Sequence, residues 1–336
     1  VVVRVPAFGI HRISHVGLRV SDLEKARLFY VDILGFVEVE KNGDELYLKG
    51  VEEGQHHSLV LRKGSEPGLS YIAFRVNSPE DLDRARDYYR SMGLPVSRFS
   101  EKGVSDAIAV EDPYGFPLVF YYDMEYTGDL GLKYSQYRGA PPVRLAHVNI
   151  SLPVRDLDEA LRYYIKDLGF ILTEYFLGED GSKHAAWVTS YYKHDSHDVA
   201  LGKTIGKDPG PGFHHVAYIV PEMRDMVRIA DILASLGMWD SIERGPGRHG
   251  ATRAFYFYIR DPDGIRIELY TGDYVILDPD KWKPIEWRFD QARYRSDFWG
   301  RPIPDRWKEI KPVESIVRGG MKPLEGYTSM MPTIRW

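Results

Sequence analysis

The sequence predicts an α+β fold in two domains, each built from two paired βαβββ modules. Three observations carry that expectation. An eight-residue block is written twice, as FYVDILGF at 29–36 and YYIKDLGF at 163–170; two fainter helical stretches open and close on similar signals; and two strands follow an Asp-Pro-x-Gly turn, in DPYGFPLVFYY and DPDGIRIELYT. A period of this kind is the mark of a repeated supersecondary unit.

The duplicated blocks extend upstream to SDLEKARLFYVDILGF and RDLDEALRYYIKDLGF, in register. Each reads as a helix. A capping residue (Ser21 with Glu24, Asp156 with Glu159) precedes apolar positions at helical spacing, and Gly35 or Gly169 stands where a left-handed C-terminal cap is wanted. Hairpin signals follow: Asn42-Gly43 before ELYL, and Asp180-Gly181 before AAWVTS. The fainter helices open at Ser78-Pro79 and Pro221 and end at Gly93 and Gly237. Each is preceded by a strand, LSYIAFRV or HHVAYIV. The predicted layout is a first domain at 1–135, a second at 136–274, and an irregular Pro- and Trp-containing segment at 275–336 laid over the second domain.

Composition narrows the function classes. With 336 residues, 43% hydrophobic and 28% charged, the chain is of ordinary globular type. No window approaches the ~18 to 20 consecutive apolar residues of a membrane span, and VVVRVPAFGI has no cleavage-site pattern. A cytoplasmic enzyme with no membrane partner is expected. The net charge is −5, with Lys and Arg scattered, so no nucleic-acid partner is expected. There are no cysteines, which leaves any metal to His, Asp and Glu.

The two domains differ at three strand positions. The second carries His147, His215 and Glu268; the counterparts in the first are His15, Tyr71 and Val119. One copy thus keeps three ligand types and the other keeps one. Two imidazoles and a carboxylate from three strands can occupy one face of a metal's coordination sphere and leave the rest open, as in non-haem iron(II) oxygen chemistry. Taken singly, His215 reads as a core histidine and Glu268 as a strand-surface carboxylate, and His15 keeps its plain core reading. It is the joint placement of the three that argues for a site.

At these residues the sequence resembles the extradiol ring-cleavage dioxygenases of the vicinal oxygen chelate superfamily, whose fold pairs βαβββ modules around a metal. The most specific stretch is GRHGATRAFYFYIRDPDGIRIE, from Gly247 to Glu268, with Gly-x-His, Tyr, Asp-Pro-x-Gly and Glu in the family's order. The likeness extends over residues 10 to 300 and is greatest to the subgroup acting on homoprotocatechuate (3,4-dihydroxyphenylacetate). The resemblance implies that His147, His215 and Glu268 bind the metal, with iron(II) expected and manganese(II) the alternative. It implies that His197 moves protons, that Tyr258 hydrogen-bonds a substrate oxygen, and that Asn149, Trp187 and His249 line the oxygen and ring pockets. Arg244 and Arg295 match positions that pair with a substrate carboxylate, and Arg293 competes with Arg295 for that part. Residue type alone would make His197 a solvated loop residue, Tyr258 a packing aromatic, Trp187 and His249 core and loop residues, and Arg244 a surface partner of Glu243.

The expected function is extradiol (meta) cleavage of a catechol, with both atoms of O2 inserted beside the hydroxyls to give a muconic semialdehyde. Catechol and O2 would be the partners, and a homotetramer the family's assembly. Plain catechol 2,3-dioxygenase is the alternative activity. A glyoxalase-like lyase would want a fourth protein ligand, and a 4-hydroxyphenylpyruvate dioxygenase would lack the His197 and Tyr258 context. A non-redox ligand-binding protein on this fold would have no reason to keep the three ligands together.

Overall fold

The computed structural model describes residues 6–128 and 139–329, so the expected 135/136 boundary lies outside the described residues. Strand β1 (Ile10–Val20) leads into helix α1 (Leu23–Arg27), then β2 (Val37–Asn42), β3 (Glu45–Lys49) and β4 (Leu59–Lys63). A second module repeats the order: β5 (Gly68–Val76), α2 (Pro79–Ser91), β6 (Val96–Phe99), β7 (Ala107–Glu111) and β8 (Pro117–Tyr121). The third is β9 (Arg144–Leu152), α3 (Leu157–Arg162), β10 (Ile171–Leu177), β11 (Lys183–Thr189) and β12 (Val199–Gly206). The fourth is β13 (Gly212–Ile219), α4 (Met223–Ser235), β14 (Ile242–Arg248), β15 (Phe255–Arg260) and β16 (Arg266–Thr271). These are the four βαβββ modules that the repeats predict.

Modules pair through their first strands. In one sheet the order is β2-β3-β4-β1-β5-β8-β7-β6; in the other, the same pattern runs β10-β11-β12-β9-β13-β16-β15-β14. Each first strand is antiparallel to its sister and parallel to the last strand of its own module. Both sheets are therefore mixed, with the module-leading strands at the centre.

The local signals of the repeats act nearly where expected. Asp22, one residue past Ser21, caps α1 by accepting from the backbone N–H groups of Glu24 and Lys25, while Ser21 donates to Asp263 from its backbone N–H at 2.8 Å and its hydroxyl at 2.5 Å. The first hairpin turns on Gly43-Asp44, because Asn42 already pairs with Glu45. Asp156, Ser78 and the glycines at 35, 93, 169 and 237 take their expected capping places, the glycines all at positive φ. Both duplicated helices widen into a π turn over Leu28–Leu34 and Tyr163–Asp167. Such widening shifts the face a helix presents.

The duplication is explained by a reciprocal contact between domains. Tyr30 of the first block donates to Asp261 of the second domain's Asp-Pro-x-Gly turn at 3.0 Å. In the mirror relation, Tyr164 of the second block is raised by burial and then by the charge of Asp112, the equivalent turn residue of the first domain. Phe36 packs edge-on to Tyr218 at 4.7 Å, and the hydroxyls of Tyr89 and Tyr163 meet at 2.5 Å. Each domain's helix thus closes the core of the other, and one apolar core runs through both.

Past β16 the chain doubles back over both sheets. Strand β17 (Ile285–Trp287) pairs with β10, and a short helix α5 (Ala292–Ser296) follows. Lys311 pairs with Phe213 and Val313 with Leu69, so the segment steps from the second sheet to the first. There Lys322 reaches Glu111 at 2.7 Å, and Glu314 reaches Arg19 at 2.5 Å. Strand β18 (Tyr327–Ser329) returns to β12. No helix among the described residues is long and apolar enough to cross a membrane.

Candidate metal centre and active site

Three neighbouring strands bring His147, His215 and Glu268 together. On β13, Ala217 faces His147 of β9 on one side and Glu268 of β16 on the other. His215 lies two residues from Ala217, and alternate strand residues share a face. Ala217 projects only a methyl group between the three longer side chains. Their ligand atoms lie within 4.8 Å of one another, and the residues are 2%, 0% and 1% exposed. Glu268 Oε2 is 2.9 Å from His147 Nε2 and 3.1 Å from His215 Nε2.

The surroundings fit a cation. His215 Nε2 is buried without a hydrogen-bond partner despite its closeness to the carboxylate, and Glu268 Oε1 is equally unpartnered. Burial pushes the His215 imidazole down to about 4, so it stands neutral with a lone pair to offer. Burial alone would raise Glu268, yet the neighbouring imidazoles, His147 first, outweigh it and hold the carboxyl well below its usual range. Behind His215, Nδ1 is fixed by His214 Nδ1 at 2.6 Å. A neutral–neutral–anionic set with a bound outer nitrogen is what a divalent first-row ion takes.

A narrow cavity opens beside the triad. Its lining includes Asn149, Trp187, His197, Arg244, His249, Tyr258 and Arg295, the expected non-ligand site residues. His197 Nε2 and Asn149 Oδ1 are buried there without partners. His197 is 3% exposed, not a solvated loop residue; Asp198 beside it receives Lys193 at 3.1 Å and the N–H of Ser190 at 2.6 Å, which pins the loop.

Tyr258 donates to His249 Nε2 at 2.9 Å, since His249 Nδ1 is engaged with the Ser296 carbonyl at 2.6 Å. Arg244 is 6% exposed. It is no surface partner of Glu243, which instead bonds Arg260 at 2.8 Å and Arg266 at 2.6 Å. Arg293 is exposed, whereas Arg295 is buried in the cavity wall.

The model of the Glyoxalase/Bleomycin resistance protein/Dioxygenase superfamily matches residues 12–120 and 144–269. A manganese-dependent 2,3-dihydroxybiphenyl 1,2-dioxygenase of Geobacillus genomosp. 3 is 34% identical over 83% of this chain and 90% of its own. A metapyrocatechase of Pseudomonas sp. (strain CF600) is 31% identical over 83% and 91%. The homoprotocatechuate 2,3-dioxygenase of Brevibacterium fuscum, in its anaerobic complex with 3,4-dihydroxyphenylacetate, superposes with a TM-score of 0.87 at 40% identity, covering 95% of this chain and 97% of that one. The chain belongs to this superfamily, as an extradiol ring-cleaving dioxygenase.

In this dioxygenase the two histidines and one glutamate form the metal site. Several cavity residues have no counterpart in the sequence reading: Ala251, Thr252, Tyr270, Ser296 and Trp307. Trp307 is the most consequential, because its ring packs on Tyr258 at 4.6 Å and under the Arg244 guanidinium at 4.8 Å. It lies in the doubled-back segment, beyond residues 10 to 300, the span of the likeness seen in the sequence. A Trp flanked by charged residues in DRWKE, inside a tail otherwise free of pattern, was the available signal.

Proposed function

We propose that this dioxygenase opens 3,4-dihydroxyphenylacetate beside its hydroxyls, with iron(II), or manganese(II) in its place, held by His147, His215 and Glu268. The observation carrying the substrate is the pair of buried guanidinium groups, Arg244 and Arg295, each with an unpartnered Nε in the cavity wall. Burial, with the like charge of Arg244 next, pushes Arg295 down to about 10. A substrate carboxylate would relieve both cations at once, and paired N–H donors match its geometry.

When bound, the ion supplies open positions for the two ring oxygens and for dioxygen, and a path for electron density between them. Proton handling falls to His197. Ser196 Oγ gives its hydrogen to Asp273 at 2.7 Å and therefore accepts from His197 Nδ1, also at 2.7 Å. That assigns the neutral tautomer with a free lone pair on Nε2, ready to take a catechol proton and return it as the O–O bond breaks. Burial first, then His147, keep this imidazole well below its ordinary value. Tyr258 and Asn149 hold the oxygens, and Trp187 with Trp307 confines the ring.

In this reading, catalysis belongs to residues 136–274, with 275–336 as its cover and 1–135 non-catalytic. The working form is a cytoplasmic homotetramer, which sedimentation of the purified protein tests as to assembly. The substrate test is turnover of 3,4-dihydroxyphenylacetate against catechol and 2,3-dihydroxybiphenyl, followed by ring-fission colour. Arg244→Ala should cut kcat/KM for the acid by roughly tenfold to a hundredfold, the worth of one charge-assisted bond, and leave catechol nearly unchanged. An unaltered preference overturns the substrate assignment, as would faster turnover of the biphenyl diol by the unmodified enzyme.

A further inference from the structure

The first domain contains a second group of two imidazoles and a carboxylate. His15, His57 and Glu101 place their ligand atoms within 4.8 Å of one another, as the catalytic triad does. Glu101 Oε2 is 2.9 Å from His15 Nε2 and 3.3 Å from His57 Nε2, with the imidazoles fully buried and the carboxylate 4% exposed. His15 Nε2, like His215 Nε2, has no hydrogen-bond partner although a carboxylate oxygen stands beside it.

The sheet register shows where these residues come from. His15 faces Ala73 and Ala73 faces Val119, as His147 faces Ala217 and Ala217 faces Glu268; Tyr71 then falls at the place of His215. The reading of this domain as having lost two of three ligands is correct for those strand positions. The replacements arrive from elsewhere. Leu59 pairs with Val16, and Val199 with Val148, so His57, two residues before Leu59, stands where His197 stands in the second domain. By the same count, Glu101 follows β6 where His249 follows β14.

The ring nitrogens facing away are held. His15 Nδ1 meets Ser14 Oγ at 3.1 Å, and His57 Nδ1 meets His56 Nδ1 at 3.0 Å, repeating the His214–His215 contact of the catalytic centre. Tyr71 donates to the other oxygen of Glu101. Each potential ligand therefore has an outer partner that fixes its orientation, the arrangement that accompanies metal ligation.

We propose that the first domain binds a divalent first-row cation of its own through His15, His57 and Glu101. Nitrogen and oxygen donors without sulfur suit zinc(II) or a similar ion, and three protein ligands leave a fourth position for water. The ion ties the first module, which holds both histidines, to the second, which holds Glu101.

Metal counting tests this. Wild-type protein stripped with a chelator, reloaded with zinc(II) alone and dialysed should hold two ions per chain by elemental analysis. Glu101→Gln and Glu268→Gln should each hold one, and the double variant none. One ion in the wild type, or two in Glu101→Gln, overturns the proposal. Should Glu101→Gln fail to fold, cobalt(II) titration of stripped Glu268→Gln decides: ligand-field bands saturating at one equivalent support the site, and their absence sinks it.

Discussion

Arg295 has its side chain over the Phe176 and Trp187 rings, at 4.7 and 5.6 Å, and its charge is not matched by a bond at Nε. Holding a cation there costs stability in the free enzyme and is useful only with an anion alongside. Arg295→Met should therefore raise the melting temperature while cutting kcat/KM for 3,4-dihydroxyphenylacetate by roughly ten- to a hundredfold; calorimetry and steady-state rates check the two halves. His197 makes the opposite demand, since in the proposed mechanism it moves protons and does not hold the metal. His197→Gln should lower kcat by about 10²–10⁴-fold with metal content unchanged. A proportional loss of metal would instead make it a ligand.

Among the elements, those with local grammar were legible beforehand. Gly35 and Gly169 end their helices at φ 100° and 77°, conformations that glycine adopts without a Cβ clash, so the repeat announced itself in residue types. The triad was legible for a related reason: strand alternation makes His147, His215 and Glu268 predictable as neighbours once two copies are compared. The doubled-back segment was not, because its order comes from contacts with residues far away in sequence. Trp307 is held by Tyr258, His214 and the guanidinium groups of Arg244 and Arg266; no spacing within the tail encodes that. His57 and Glu101 escaped likewise, being placed by turns and not by strand period. Trp307→Ala should cost about 3–5 kcal/mol in urea unfolding. It should also raise KM for every catechol, since it removes a cavity wall, and most for the acid, since that wall also supports Arg244.

For the molecule as a whole, acid is the sensitive direction. His147, His197, His214, His215 and His249 are all lowered, burial being the first cause in each. The unfolded chain binds protons at these groups near 6.5 while the fold resists until about 4 at His215, so the unfolded state holds more protons in that window. Stability of the metal-free protein should fall as pH drops from 6.5 toward 4. Asp112, Asp261 and Asp273, raised by burial to about 7, together with Glu53 and Glu174, also raised by burial, oppose this, being penalised as pH rises above the ordinary carboxylate range. Thermal melts of stripped protein between pH 4 and 7 measure the balance; a midpoint that climbs on acidification contradicts it.

The order of the chain separates two properties. All three metal ligands lie on strands that end by Thr271, whereas Trp307, which walls the cavity, lies in the segment that follows them. The stretch that holds the ion and the stretch that closes one wall beside it are thus distinct in sequence, so the wall can change while the ligands stay.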